Sequence, residues 1–305
     1  MKSFFPCYRS FSSDKSVWNE VYFHDQYNLP ALSPSDVVVD VGAHTGAFTC
    51  ACLARGARRI VAFEPDPETF ALAMLNIQDF IDRFEIAAPV RVHNSAIWRS
   101  DREEPLRITH TRFAEFYRSY YQAVQATLFS DKDTMPVHSV GLDNILGPLA
   151  KVLLLNLDCE GAEWPILFTS TLLRRVKRLM LKVHSIPWKA YELGRSVPAD
   201  LFSEFGHYTF EDLKTRLREH DLVCIGEKIN WNCLNNPDFY FGQAVFERRE
   251  MSAQHSSSLI GRLKWFEGSN VEIAIKATGR SADTVPEPIT NRDRVDPSLR
   301  NTARP

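Results

Sequence analysis

Two short stretches of this chain bring together residue types that do chemistry. The first runs Asp40-Val41-Gly42-Ala43-His44-Thr45-Gly46 and is followed at a distance by Glu64. Gly42 and Gly46 suit a tight turn with positive φ, where a ligand can approach the backbone closely. A carboxylate such as Glu64, about twenty residues past the first glycine, is placed to accept hydrogen bonds from ribose hydroxyls. The second stretch is Asp158-Cys159-Glu160-Gly161-Ala162-Glu163, with His184 further along. Carboxylates and a histidine of this kind do general acid–base work. Acids at a helix start also complement its dipole, and for Glu163 that plainer reading is preferred.

The elements that must position these residues are legible around them. Val37-Val38-Val39 is a β-branched run suited to a strand buried on both faces of a parallel sheet, ending at Asp40. Good helix formers follow from Ala47 to Gly56, a C-terminal cap, and a second strand spans Arg59 to Phe63. Strand, glycine turn, helix, strand and carboxylate make a nucleoside-binding βαβ unit. His44 stands where a dinucleotide site needs its second glycine, so a pyrophosphate is disfavoured and S-adenosylmethionine is the expected ligand. Pro65 to Glu68 opens a helix expected to run to about Ile81, and 89–93 reads as a third strand. Its exit brings Asn94 and Ser95 to the carboxyl ends of the strands, as candidate adenine contacts.

The second stretch ends a strand at 151–157, precedes a helix starting at Trp164-Pro165, and is joined at the same rim by His184 from a strand at 176–183. A capping box at Thr209 and Asp212 opens a helix to about His220, and 222–225 with 241–247 reads as an antiparallel pair. Residues 99–140 show no sustained period and read as an insertion with strand content at 106–109. A short helix is expected over 142–149. Trp188 and Tyr191 are candidate acceptor contacts. The aromatic-rich segment 1–35 either packs on the outer helices, the simpler expectation, or closes over the site as a lid. Beyond Glu250, short elements are expected at 259–266 and 271–275, and the chain is polar and expected to be disordered from 279.

Composition sets broad limits. The 305 residues are 44% hydrophobic and 24% charged, as in an ordinary globular protein. A formal charge of −2 shows no basic footprint, so nucleic acid is not expected as a partner. The six cysteines lack zinc spacing and read as reduced thiols. With no secretory pattern at the start and no long apolar run, a cytoplasmic protein without membrane contact is expected.

The blocks VVVDVGAHTGAFT, VAFEPDPE and LLLNLDCEGAEWPIL, in this order, resemble the FkbM-type family of S-adenosylmethionine-dependent methyltransferases over about residues 30–247. The resemblance implies an α/β class I, Rossmann-like fold: a seven-stranded, mostly parallel sheet with an antiparallel pair at one edge and helices on both faces. It implies methylation of a hydroxyl on a sugar or other small metabolite. By the same resemblance Asp40, Gly42, His44 and Gly46 would hold the methionine end of the cofactor, Glu64 the ribose, and Asp158 and Glu160 would lie beside the methyl group. The family tends to have Lys at the position of Asn156 and Glu at that of Lys182.

An alcohol acceptor must lose a proton as its new bond forms, and Asp158 or His184 is the expected base, with Glu160 orienting the acceptor. A Mg²⁺ ion on Asp158, Glu160 and Glu163 is a lesser alternative, and no metal is assigned. Two rivals remain: an inactive binding or regulatory protein on the same scaffold, and a nicotinamide-dependent oxidoreductase, which His44 argues against.

Overall fold

The computed structural model describes residues 3–10, 12–109, 134–187, 199–231, 236, 238, 240–249 and 272–273. Its centre is a sheet in which β1 (Val37–Val41) lies between β2 (Arg59–Phe63) and β8 (Val152–Leu157), all parallel. Outward from β2 comes β3 (Val90–His93), and outward from β8 comes β9 (Val176–His184), again parallel. Then β11 (Phe241–Arg248) pairs antiparallel with β9, and β10 (Leu222–Asn230) closes that edge antiparallel to β11. This is the expected seven-stranded sheet with its antiparallel edge. A two-residue strand, β12 (Glu272–Ile273), extends it beside β3.

Side-chain alternation along the central strands divides the interior in two. Val39, Val41, Leu155 and Leu157 point into one core with Leu142 of α4 (Leu142–Leu146), Trp164 of α5 (Glu163–Thr169), Leu201 of α6 (Ala199–Phe205) and Phe210 of α7 (Phe210–Arg218). Val38 and Leu154 point the other way, toward Phe48 of α2 (Ala47–Ala54) and Phe80 of α3 (Pro67–Phe84). Helices therefore cover both faces, which is why Val37–Val41 needs no polar alternation.

Local chemistry sets the helix ends. Asp66 caps α3 through the Thr69 amide, with Pro67 in its first turn. Thr209 and Asp212 form the anticipated box on α7. β10 runs past Ile225, its expected end, because an edge strand tolerates polar Glu227 and Lys228 once the register shifts between Cys224 and Gly226.

Outside the sheet, β4 (Ala96–Trp98) pairs with β7 (Ser139–Gly141), and β5 (Leu106–Thr109) with β6 (Thr134–Val137). Of the insertion, then, the flanks are strands, and its middle lies outside the described residues. So do Trp188, Tyr191, the element expected at 259–266 and the tail from 279.

The N-terminal segment packs on α3 and reaches the carboxyl ends of the strands. After a short helix, α1 (Asp14–Trp18), comes a π-helical turn, Asn19–Phe23. Phe4 meets Trp18, Tyr22 and Phe80 at ring separations of 5.6, 6.0 and 4.9 Å. Among the described residues no helix is long and apolar enough to cross a membrane.

Candidate functional site

The loop after β1 folds back over the strand ends. Gly42 and Ala43 both donate to the Phe63 carbonyl at the end of β2, and the Asp158 amide donates to Val41. The chain at Gly42 has φ +83°, and a Cβ there would sit 2.0 Å from the Asp158 carbonyl oxygen. Only glycine lets the ends of β1 and β8 approach this closely. Gly46, at φ +93°, begins α2 against Ile77. His44 also takes positive φ, 51°, which points its amide at Glu64.

A cleft of about 1060 Å³ opens above these strand ends. Its polar wall includes Gly42, His44, Glu64, Ser95, Asp158, Glu160 and Lys182. An apolar wall is formed by Ile97, Trp98, Leu106 and Ile108 from β4 and β5. Ser13, Val17, Val21 and Tyr27 from the N-terminal segment form a third side. The composition of the segment shows its aromatics, but nothing local in it says that they reach the cleft.

Glu64 is buried in this cleft. Its Oε2 accepts from the His44 amide at 2.9 Å and its Oε1 from the Asp66 amide at 3.0 Å. Burial outweighs these bonds and pushes its pKa up to about 8. A carboxylate with spare lone pairs, short of donors, suits a ligand that brings hydroxyls. The His44 ring lies 3.3 Å from Asp14 of α1, and burial lowers its pKa to about 4. Asp14 in turn takes a forked pair of bonds from Arg9, at 3.0 and 2.8 Å.

Two expected ligand contacts are spent on the protein itself. Asp40 is fully buried behind the loop: Thr49 donates to one oxygen at 2.7 Å and Asn156 to the other at 3.0 Å. It ties β1 to β8 and α2 instead of facing the cleft, and burial lifts its pKa to about 6. Asn94 donates to the carbonyls of Glu64 and Pro65, both at 3.0 Å, so its amide secures the turn after β2. Ser95, by contrast, lines the cleft.

At the end of β8, Asp158 and Glu160 both line the cleft. Lys182, on β9, approaches Asp158 Oδ2 at 3.3 Å, and its pKa is raised chiefly by that charge. Burial pushes the Asp158 pKa up against the pull of Lys182. His184 is placed differently from expectation: only 4% exposed, it lies behind Glu160, with Nε2 3.7 Å from Glu160 Oε2 and Nδ1 3.3 Å from Glu163 Oε1. Glu163 holds the loop that starts its own helix, accepting from the amides of Cys159 and Gly161.

The cleft also holds unmet polar demand. Ser13 Oγ, Asn156 Oδ1 and Asp158 Oδ1 are buried without a hydrogen-bond partner, and all three residues line it. Buried polar atoms left unpaired are costly, so a ligand bearing amino and hydroxyl groups fits this wall. The residues present thus fit S-adenosylmethionine.

The sequence model of the methyltransferase FkbM domain matches residues 40–222. No curated protein matches the chain. Among solved structures it is similar to a proposed S-adenosylmethionine dependent methyltransferase from Listeria monocytogenes, at 10% identity, with 77% of this chain and 99% of that one covered and a TM-score of 0.41. A proposed tRNA (m1A22) methyltransferase from Streptococcus pneumoniae, in complex with S-adenosyl-L-methionine, gives 13% identity, coverage of 73% and 70%, and a TM-score of 0.37. The small RNA methyltransferase HEN1 gives 11% identity, coverage of 83% and 27%, and a TM-score of 0.40.

Proteins named as RNA methyltransferases thus stand among the similar structures, and the expectation that nucleic acid is not a partner is corrected. Net charge sums over every face of a molecule and does not report the field at one cleft. By the domain match across more than half of its length, this chain belongs to the FkbM family of methyltransferases, with S-adenosylmethionine as cofactor.

Proposed function

We propose that the enzyme methylates a hydroxyl oxygen, carried by a sugar or another small metabolite. The observation that carries this reading is the pair of cleft-lining carboxylates at the end of β8, with Asp158 Oδ1 buried and unpartnered. An alcohol brings the proton donor that this oxygen lacks. The apolar wall of Ile97, Trp98, Leu106 and Ile108 suits the carbon skeleton of either the acceptor or the adenine ring.

S-adenosylmethionine supplies a methyl group on a sulfonium, so the protein needs no nucleophile of its own and works mainly by positioning. In this proposal Glu64 accepts the ribose hydroxyls, the Gly42–Gly46 loop bears the methionine end, and Ser95 lies toward the adenine. Asp40 positions the loop through Asn156 and Thr49. Asp158 receives the hydroxyl proton, Lys182 steadies its charge, and Glu160 orients the acceptor. His184, set behind Glu160, acts through it. The free thiols of Cys50 and Cys52, both buried, suit a reducing compartment such as the cytoplasm.

The test is a methyl-transfer assay with radiolabelled cofactor on sugars, phenols, aliphatic alcohols and RNA, comparing wild type with Asp158→Asn. The variant is expected to bind cofactor normally and to turn over about 10²- to 10⁴-fold more slowly. Full turnover by Asp158→Asn on a hydroxyl acceptor would remove Asp158 as the base. Transfer to RNA alone would replace the small-metabolite reading.

A further inference from the structure

From the convergence of Asp158, Glu160 and His184 we infer a binding site for a divalent first-row transition cation at the acceptor end of the cleft. One carboxylate oxygen from each acid and one ring nitrogen of His184 lie within 4.8 Å of one another. Ligand atoms each about 2.1 Å from a shared ion sit roughly 3 to 3.5 Å apart, so small side-chain rotations close the set.

The hydrogen bonding around His184 supplies the second observation. Both oxygens of Glu163 are already acceptors, for the amides of Cys159 and Gly161. The His184 Nδ1 that faces this carboxylate at 3.3 Å is therefore the ring's donor. That leaves Nε2 as a lone pair directed at another acceptor, Glu160 Oε2, 3.7 Å away. A proton on Nε2 would relieve this one contact, but 3.7 Å is long for a charge-assisted bond, which closes to about 2.7–2.9 Å. It would leave the Asp158 oxygen unserved. A single cation serves all three atoms.

Two further features agree. A carboxylate that receives the outer N–H of a metal-binding histidine fixes its tautomer and orientation, and Glu163 stands in that relation to His184. Asn156, 2% exposed and two residues before Asp158 on β8, brings another buried acceptor, Oδ1, without a partner to the same cleft. Lys182 works against the cation, since its ammonium already neutralises part of the Asp158 charge at 3.3 Å. Both Asp158 and Glu160 nevertheless act on this one lysine. A mixed nitrogen and oxygen set favours Mn²⁺ or Zn²⁺ over Mg²⁺, which prefers oxygen and keeps its waters.

The consequence for the acceptor rests on the function proposed above; the site itself does not. A hydroxyl bound at an open position of the ion loses its proton more readily.

The experiment is a titration of the full chain with Mn²⁺ alone, followed by the electron paramagnetic resonance signal of free ion, without cofactor or acceptor. Wild type is expected to take up one equivalent. Glu160→Gln, isosteric, and His184→Ala are expected to weaken uptake at least about tenfold, and Glu163→Gln about tenfold through the orientation of His184. Lys182→Met is expected to tighten it. Circular dichroism verifies that each variant is folded. Absence of saturable uptake by wild type, uptake that survives Glu160→Gln and His184→Ala, or weakening by Lys182→Met would overturn the site. Because methyl transfer is not read, this result is independent of the failure or success of the acceptor assay.

Discussion

Glu64 shows how one residue couples burial to ligand choice. Its carboxyl is held by two amides yet remains short of stabilisation, with a pKa pushed up to about 8. Between the ordinary carboxylate range and about pH 8, the folded chain keeps a proton here that the unfolded chain releases. This group's contribution to stability is therefore fully present below that ordinary range and is lost as the pH rises through about 8. Glu64→Gln should flatten this fall, seen as a smaller decrease in melting temperature between about pH 5 and pH 8 than in wild type. The position of Glu64 was legible in the sequence because strand, turn and helix lengths fix it locally. The duty of Asp40 was not: its partner Asn156 lies 116 residues away, brought alongside only by the β1–β8 pairing.

At the scale of elements, the site exists because two strand ends nearly touch. Gly42 is the point of contact, and Gly42→Ala adds a Cβ 2.0 Å from the Asp158 carbonyl oxygen at a φ of +83°. Backbone strain of this kind costs about 1–3 kcal/mol, and the clash adds to it. The variant should lower the urea midpoint and abolish cofactor binding together; either effect without the other would separate fold from function at this turn. The βαβ unit and β8 were readable because apolar runs bounded by glycine and acids carry their own signal. β4, β6 and β7 carry little, being three- or four-residue strands without alternation. The orientation of His184 by Glu163 arises only when α5 packs against the end of β9.

Across the whole molecule, the N-terminal segment packs on α3 and also lines the cleft. Trp18, fully buried, packs at a tilt against Phe4 and Tyr22 and donates to Thr45 of the cofactor loop at 2.9 Å. Trp18→Ala should cost about 3–5 kcal/mol in denaturant unfolding and also weaken cofactor binding. Phe5→Ala, at a side chain 74% exposed, should change stability by less than about 0.5 kcal/mol. We propose that the segment serves as a wall over the cofactor, clasped by Arg9, Asp14 and His44. Sequence shows its aromatics but not their destination, because their partners on α2 and α3 are set by tertiary packing.

The most direct test is calorimetric titration of wild type and Glu64→Gln with S-adenosylmethionine, repeated in two buffers of different ionisation enthalpy. Ribose hydroxyls favour the charged carboxylate, so wild type should bind one equivalent and release part of a proton near about pH 7, making the apparent enthalpy depend on the buffer. Glu64→Gln should bind more weakly, with no such dependence. No binding by wild type, or identical affinity and buffer dependence in the variant, would contradict the assignment of this cleft to the cofactor.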